Sequence, residues 1–301
     1  MRLFDCHSFR PAVFVFALLG VLCQLGCDEP QTGGFVEELD SSKGPGGQGG
    51  NAACGIYDNI SDESLVFTIH DLVQSAYRPI MVEEDQGGAP NRYTTARRLM
   101  FTEVERKRGP QSEMVVECVY TGATAYQPPD DDPDRDAMNC EHIWPRSKLF
   151  EDQESALFSH QESDLHQLVP SLPGANSTRG NLPFGEVVGE RDMDFAPSYR
   201  GVNARGVEVF EVRPERRGDV ARITFYMAIR WGLPLSPEET EVLRRWHQAD
   251  PVSTDETTRN AAVQRLQGNR NPFVDCPLLV ERIDAFNPFR PYDLNEAIPN
   301  P

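Results

Sequence analysis

The tightest constraint in this chain is a strand that cannot continue. Residues 139–145 read Asn-Cys-Glu-His-Ile-Trp-Pro, and Pro145 removes the backbone donor that further ladder pairing needs. Consecutive strand residues point to opposite faces. Glu141 and His142 can therefore share one task only where the strand ends or bulges, and the proline permits that. Residues 164–169, Asp-Leu-His-Gln-Leu-Val, alternate in polarity and are the expected partner strand, with His166 on it. Residues 174–184 then supply Asn176, Arg179 and Asn181, on a short helix or turn bounded by Pro173 and Pro183.

These residue types suit the hydrolysis of a phosphodiester. That reaction needs an activated water, a cation to neutralise charge on the phosphate, and help for the leaving oxygen. Neutral imidazole is the side chain best tuned to take a proton from water near neutral pH. A hard cation such as Mg²⁺ keeps several waters, so one carboxylate and one amide oxygen suffice to hold it. Each piece alone is weak. A Glu-His pair is common, a strand histidine is more often a hydrogen-bonded core residue, and Asn-Ser or Arg-Gly-Asn suits an ordinary loop. Their compression between residues 139 and 185 is what raises the odds. A metallopeptidase helix would need two histidines at i and i+4 around a glutamate, and Glu141-His142 lacks the second.

The charge balance cuts against a nucleic-acid partner. The net charge is −18, whereas phosphate affinity normally comes from Lys and Arg. Any such site must be a local basic cleft on an acidic body. The most basic region holds Arg97, Arg98, Arg106, Lys107 and Arg108, which read equally well as a solvated helical face. Residues 128–136 are acidic and proline-rich. They lack the glycine and closing glutamate of a calcium-binding loop and read as a solvated segment.

The N-terminus explains itself. Arg2 and Arg10 precede a short apolar run, so residues 1–27 read as a secretory signal rather than a membrane span, and no later stretch is apolar enough to span. Residues 24–27, Gln-Leu-Gly-Cys, resemble a lipoprotein processing site with Cys27 as the lipidated residue. Gln24 departs from the usual aliphatic residue, so plain cleavage stays open. An exported protein, extracellular or periplasmic, or an outer-membrane lipoprotein follows from this reading. Residues 28–53 form a Gly-rich tether without periodicity, and residues 54–301 form the folded domain. Cys54, Cys118, Cys140 and Cys276 remain in an oxidising compartment, where three pairings exist. The favoured pairing is Cys118 with Cys140 and Cys54 with Cys276.

A helix is expected over residues 61–73, with Leu65, Ile69, Leu72 and Val73 on one face, and a weaker one over 93–104. Residues 114–120 read as a strand. The later chain is mainly helical. Residues 218–231 form a buried helix. Ser236-Pro-Glu-Glu and Ser253-Thr-Asp-Glu are helix starts, the second helix ending near Gly268. Few strands, several helices and no βαβ alternation give an α+β fold.

The motifs resemble those of the bacterial endonuclease I family of secreted and periplasmic nucleases. They are residues 139–147, Asp-Leu-His-Gln-Leu at 164–168, and Ala-Asn-Ser-Thr-Arg-Gly-Asn-Leu-Pro-Phe-Gly-Glu-Val at 175–187. The resemblance continues through residues 209–211, 218–222, 226–230, 246–251 and 267–273, covering roughly 54–286. It implies a ββα-metal (His-Me finger) core within the α+β fold. It further implies Mg²⁺ as cofactor, with Mn²⁺ or Ca²⁺ as substitutes, and cleavage of DNA, and of RNA too, with little sequence specificity. By the same resemblance Glu141 binds the metal, His142 is the general base and Asn181 is the second ligand, with Asn176 the runner-up. Arg179 and Arg222 are assigned to phosphate and His166 to support. Arg146, Arg179 and Arg222 compete for the leaving group. The alternative is a catalytically silent nucleic-acid-binding or structural envelope lipoprotein on the same scaffold.

Overall fold

The computed structural model describes residues 54–81 and 91–286. The expected signal segment, Cys27 and the tether lie outside the described residues, as do residues 82–90 and 287–301. Among the described residues no helix is long and apolar enough to cross a membrane.

The fold is α+β: helices around three small antiparallel sheets. Helix α1 (Asp62–Ala76) buries Leu65, Val66, Ile69 and Val73, while Leu72, expected on that face, is exposed. Helix α2 (Arg92–Leu99) begins at Asn91, whose side chain accepts the Thr94 amide at 2.7 Å, and runs into a π-turn, Met100–Val104. Arg97 on α2 is buried and paired with Asp132 of the acidic segment, so part of the expected solvated basic face lies inside. Strands β1 (Lys107–Arg108), β2 (Met114–Glu117) and β3 (Thr124–Tyr126) form one sheet, β2 ending earlier than the predicted strand. Strand β4 (Asn139–His142) pairs with β5 (Leu168–Ser171) in a two-stranded sheet. Between them lies helix α3 (Ala156–Glu162), and after them helix α4 (Pro173–Arg179). Strands β6 (Arg191–Asp192), β7 (Tyr199–Val202) and β8 (Glu208–Glu211) make the third sheet, in a stretch where no strand is expected.

The core is organised by α5 (Arg217–Trp231), buried along every turn after Arg217. A helix buried on every side needs neighbours on every side, and α1 and α6 (Pro237–Ala249) are among those that cover it. It stops at Gly232, which takes the left-handed conformation, φ 61°, that a glycine tolerates. Ser236 and Ser253 cap α6 and α7 (Thr254–Gln267) by accepting the amides of Glu239 and Glu256, as their spacing predicts. Short helices α8 (Pro272–Asp275) and α9 (Leu279–Arg282) close the domain.

A disulfide joins Cys54 to Cys276, with Cα atoms 5.1 Å apart. The expected Cys118–Cys140 bond is absent: both thiols are free and buried. Strand β5 lies between them. Cys140 pairs with Pro170 from one side, while Val119 donates to the Pro170 carbonyl from the other and the Leu172 amide reaches the Cys118 sulfur. Two strand spacings are roughly 9–10 Å, beyond the roughly 7 Å Cα separation a disulfide spans.

Candidate active site

Strand β4 ends where its chemistry begins. Glu141 opposes Val169 and His142 opposes Leu168; the Ile143 amide then makes one more bond, to the Gln167 carbonyl, before Pro145. Pro170 sits inside the short β5 because its carbonyl bonds outward to Val119, so its missing N–H costs the β4 ladder nothing. The partner strand is shorter than expected. Residues 164–167 form a turn in which the Asp164 carboxylate accepts the His166 amide at 3.0 Å. His166 thus precedes β5 rather than lying on it.

The imidazole of His142 is only 7 % exposed. Its Nε2 lies 2.9 Å from the Glu162 carbonyl, at the end of α3. A carbonyl only accepts, so Nε2 carries the proton and Nδ1 keeps its lone pair. No partner for Nδ1 is found among the described residues. Burial pushes the His142 pKa down to about 4, and the Arg146 and Arg179 guanidiniums push the same way against the Glu162 carbonyl. The ring is therefore neutral at physiological pH, with the Nδ1 lone pair available. Tyr93 packs against it at 5.1 Å, its hydroxyl hydrogen-bonded to the Cys140 thiol.

Glu141 is buried, and burial raises its pKa, opposed by Arg179, by the Tyr120 hydroxyl and by the His142 amide. Tyr120 donates to Oε1 at 2.6 Å, and Arg179 Nη1 stands 3.4 Å from the same oxygen. The guanidinium of Arg179 also binds the carbonyls of Ile143 (2.6 Å), Gly180 (3.1 Å) and His142 (3.4 Å), and covers the Phe184 ring at 4.6 Å. Arg179 is 1 % exposed. It collects the carbonyls orphaned where the ladder stops and faces inward.

Helix α4 is fixed by Pro173 at its first turn and by Gly180 past its end, φ 52°. From α4, Asn176 Nδ2 donates to the Cys140 carbonyl at 3.0 Å, which sets its amide beside β4 with Oδ1 as the remaining acceptor. Asn181 follows α4, is exposed, and makes no hydrogen bond among the described residues. Arg146 stands at the rim: its side chain is 51 % exposed, Nε binds Glu162 at 2.8 Å, and it lies over Phe158. A cleft adjoining the strand end is lined by Trp144, Lys148, Arg179, Phe184 and Glu239.

The structure does not bring Arg222 to this site. Arg222 is fully buried on α5 and bound twice to Glu256, at 2.6 Å each. His166 is also buried, 4.3 Å from the Tyr226 ring, with Nε2 toward the Asn269 carbonyl. Sequence reasoning missed Tyr120 and the Glu162 carbonyl. A tyrosine in the turn after β2 and a backbone atom carry no motif.

The comparisons agree with the motifs. The model of the endonuclease I family matches residues 89–278. The chain belongs to the endonuclease I family. An extracellular ribonuclease of Bacillus amyloliquefaciens is 32 % identical, over 48 % of this chain and 53 % of its own length. A periplasmic deoxyribonuclease of Aeromonas hydrophila is 30 % identical, over 40 % and 51 %. Endonuclease-1 of Buchnera aphidicola is 30 % identical, over 43 % and 50 %. The chain thus spans about half the length of the curated relatives it matches. The endonuclease I match includes β4, β5, α4 and the helices behind them.

Proposed function

We propose that this endonuclease I protein is an exported, cation-dependent endonuclease that hydrolyses phosphodiesters of nucleic acid. The observation that carries the reading is the fixed tautomer of His142: Nε2 is committed to the Glu162 carbonyl, and Nδ1 keeps a lone pair one residue from a buried carboxylate. His142 Nδ1 takes the proton from the attacking water. β4, β5 and α4 then correspond to a ββα-metal core, with Glu141 and Asn181 as the oxygen donors.

The donor set fits a hard, hydrated cation. Among the described residues no three His, Cys, Asp or Glu side chains cluster in a way that would hold a metal. A carboxylate plus an amide oxygen suits Mg²⁺ or Mn²⁺, which retain waters, better than a thiolate or imidazole cage suits zinc. When bound, such an ion offsets the negative charge that develops on the phosphate. Asn181, exposed and without a hydrogen bond among the described residues, is the second donor, and Asn176, held against β4 by the Cys140 carbonyl, is the runner-up. Arg179 orients Glu141 and the strand end, and Arg146 is the accessible cation for phosphate. Relatives bear both ribonuclease and deoxyribonuclease names, so we assign the substrate class as DNA and RNA backbones without base readout. Export, with or without lipidation of Cys27, is part of the same proposal.

The test is a cleavage assay on double-stranded DNA, single-stranded DNA and RNA, with Mg²⁺ or with chelator. Cleavage that chelator stops and that Asn181→Ala weakens far more than Asn176→Ala is the expected result. Binding without cleavage over a range of divalent ions would instead mark a silent scaffold.

A further inference from the structure

The hydrogen bond between Tyr120 and Glu141 joins the two residues across a gap of 21 positions and has no counterpart in the motifs. Tyr120 has no exposure at all. Its backbone is held on several sides: Ser198 Oγ donates to its carbonyl at 2.6 Å, and the preceding residue, Val119, donates to Pro170 and accepts from Arg213 Nε. Its ring packs edge-on against Phe210, centroids 4.8 Å apart. A phenol fixed this firmly cannot follow a wandering carboxylate; the carboxylate must come to it. Facing an ionised carboxylate, the hydroxyl can only donate. Oε1 thereby receives the phenol and, at longer range, the Arg179 guanidinium, while no side-chain donor among the described residues reaches Oε2.

We propose that Tyr120 is a positioning residue that holds Oε1 of Glu141 and so makes this carboxylate a single-oxygen ligand, through Oε2, favouring Mg²⁺ or Mn²⁺ over Ca²⁺. The inference rests on the reading of Glu141 as a metal ligand. Its physical basis is coordination geometry. Mg²⁺ demands a near-octahedral shell of single donors at about 2.0–2.1 Å, whereas Ca²⁺ accepts six to eight oxygens and readily takes both atoms of one carboxylate. A hydrogen bond occupying Oε1 penalises two-oxygen binding, and partners of this kind typically change metal affinity by about 10- to 100-fold.

Isothermal titration of the wild type, Tyr120→Phe and Glu141→Gln with Mg²⁺, Mn²⁺ and Ca²⁺ tests this without recourse to activity. Tyr120→Phe is expected to weaken Mg²⁺ and Mn²⁺ about tenfold or more and Ca²⁺ less, so that the Ca²⁺ to Mg²⁺ affinity ratio rises. Wild-type affinities and ratio in Tyr120→Phe overturn the inference alone. Equal binding by wild type and Glu141→Gln overturns the ligand assignment, and the inference with it. Should Tyr120→Phe fail to fold, the near-UV tyrosine difference spectrum on adding Mg²⁺ replaces it, recorded in a Tyr93→Phe background. A perturbation that vanishes in Glu141→Gln supports the contact, and a flat spectrum overturns it.

Discussion

Two buried polar clusters carry most of this chain's motifs, and they differ in what they leave unbonded. Behind β5, the networks around Asp164 and Arg222 are closed, although Arg230 Nε and Nη1 beside them find no hydrogen-bond partner among the described residues. Asp164 accepts from the His166 amide, the Tyr226 hydroxyl, the Trp231 indole and Gln267. Arg222 spends its donors on Glu256, the Asp250 carbonyl, His247 and Asp219. The cleft beside it holds Glu105, Glu117, Arg216, Asp219 and Arg259, and these too are paired among themselves. At the end of β4 the accounting stays open: His142 Nδ1, Asn176 Oδ1 and the Asn181 amide have no protein donor or acceptor among the described residues, and no side-chain donor among them reaches Glu141 Oε2. Both clusters are motif-rich and buried, so neither property marks the reactive one. Under the proposed function, it is the open lone pairs at the end of β4 that set the two apart.

That contrast breaks if the two clusters respond alike to mutation. His142→Ala is expected to lower cleavage about 10²- to 10⁴-fold, the usual contribution of a general base, with little change in the urea midpoint. Activity within threefold of wild type would remove His142 from the role. Arg222→Met is expected to do the reverse. Removing one partner of a buried ion pair costs about 3–5 kcal/mol, because the carboxylate left behind is uncompensated. Glu256, whose pKa burial already raises, would then take a proton. Chemical denaturation reads the loss, and the folded fraction should cleave at the wild-type rate. A stable but inactive Arg222→Met would return this arginine to the phosphate.

Features that depend on neighbours in sequence are legible in it, and those that depend on neighbours in space are not. The caps at Ser236 and Ser253, the stop at Gly268 and the end of β4 near Pro145 each involve residues a few positions apart. The start of β5 is misread because Asp164 alternates correctly for a strand, yet spends its side chain on the His166 amide and on three buried donors. The third sheet escapes because β6 and β7 are short and largely exposed, with little apolar alternation. Cysteine spacing cannot say that β5 runs between Cys118 and Cys140. The site is half legible: Glu141, His142 and Asn176 lie in recognisable motifs, whereas the side that each presents is set by Tyr120, Glu162 and Cys140. Arginines mislead most. Arg179 and Arg222 are as conspicuous as any phosphate ligand, and both point inward.

Histidine titration offers a smaller effect that the two clusters should share. His142 and His166 are both held near 4 by burial, against about 6.5 for an exposed imidazole. Between these values the unfolded chain binds more protons than the native one, so stability is full above about 6.5 and falls as the pH drops toward 4. Each histidine contributes up to ~3 kcal/mol of that loss. Denaturation midpoints measured from pH 8 to 4.5 should slope downward toward acid, and His166→Gln should flatten the slope. Cleavage at saturating metal separates the pair, since only His142 governs it. Its acid limb should lie well below 6.5, and a midpoint at 6.5 would mean the imidazole is more hydrated than its burial implies.

Arg146 sets the smallest and most local effect. It is the half-exposed cation beside His142, and it is partly neutralised by Glu162. On a body of net charge −18, phosphate must be drawn by such short-range contacts, because the long-range field repels it. Cleavage by the wild type should therefore fall steeply as salt is added, with the attraction screened over about 10 Å at 0.1 M. Arg146→Ala should raise KM about tenfold at low salt with kcat little changed, and should lower the logarithmic salt slope by about one, as expected for one lost phosphate contact. A variant with the wild-type slope would place the phosphate contact elsewhere, and Lys148 on the adjoining cleft would be the next side chain to remove. A variant that loses kcat instead would mean that Arg146 acts on the transition state, work for which Arg179, buried and bound through both Nη atoms to backbone carbonyls, is poorly placed.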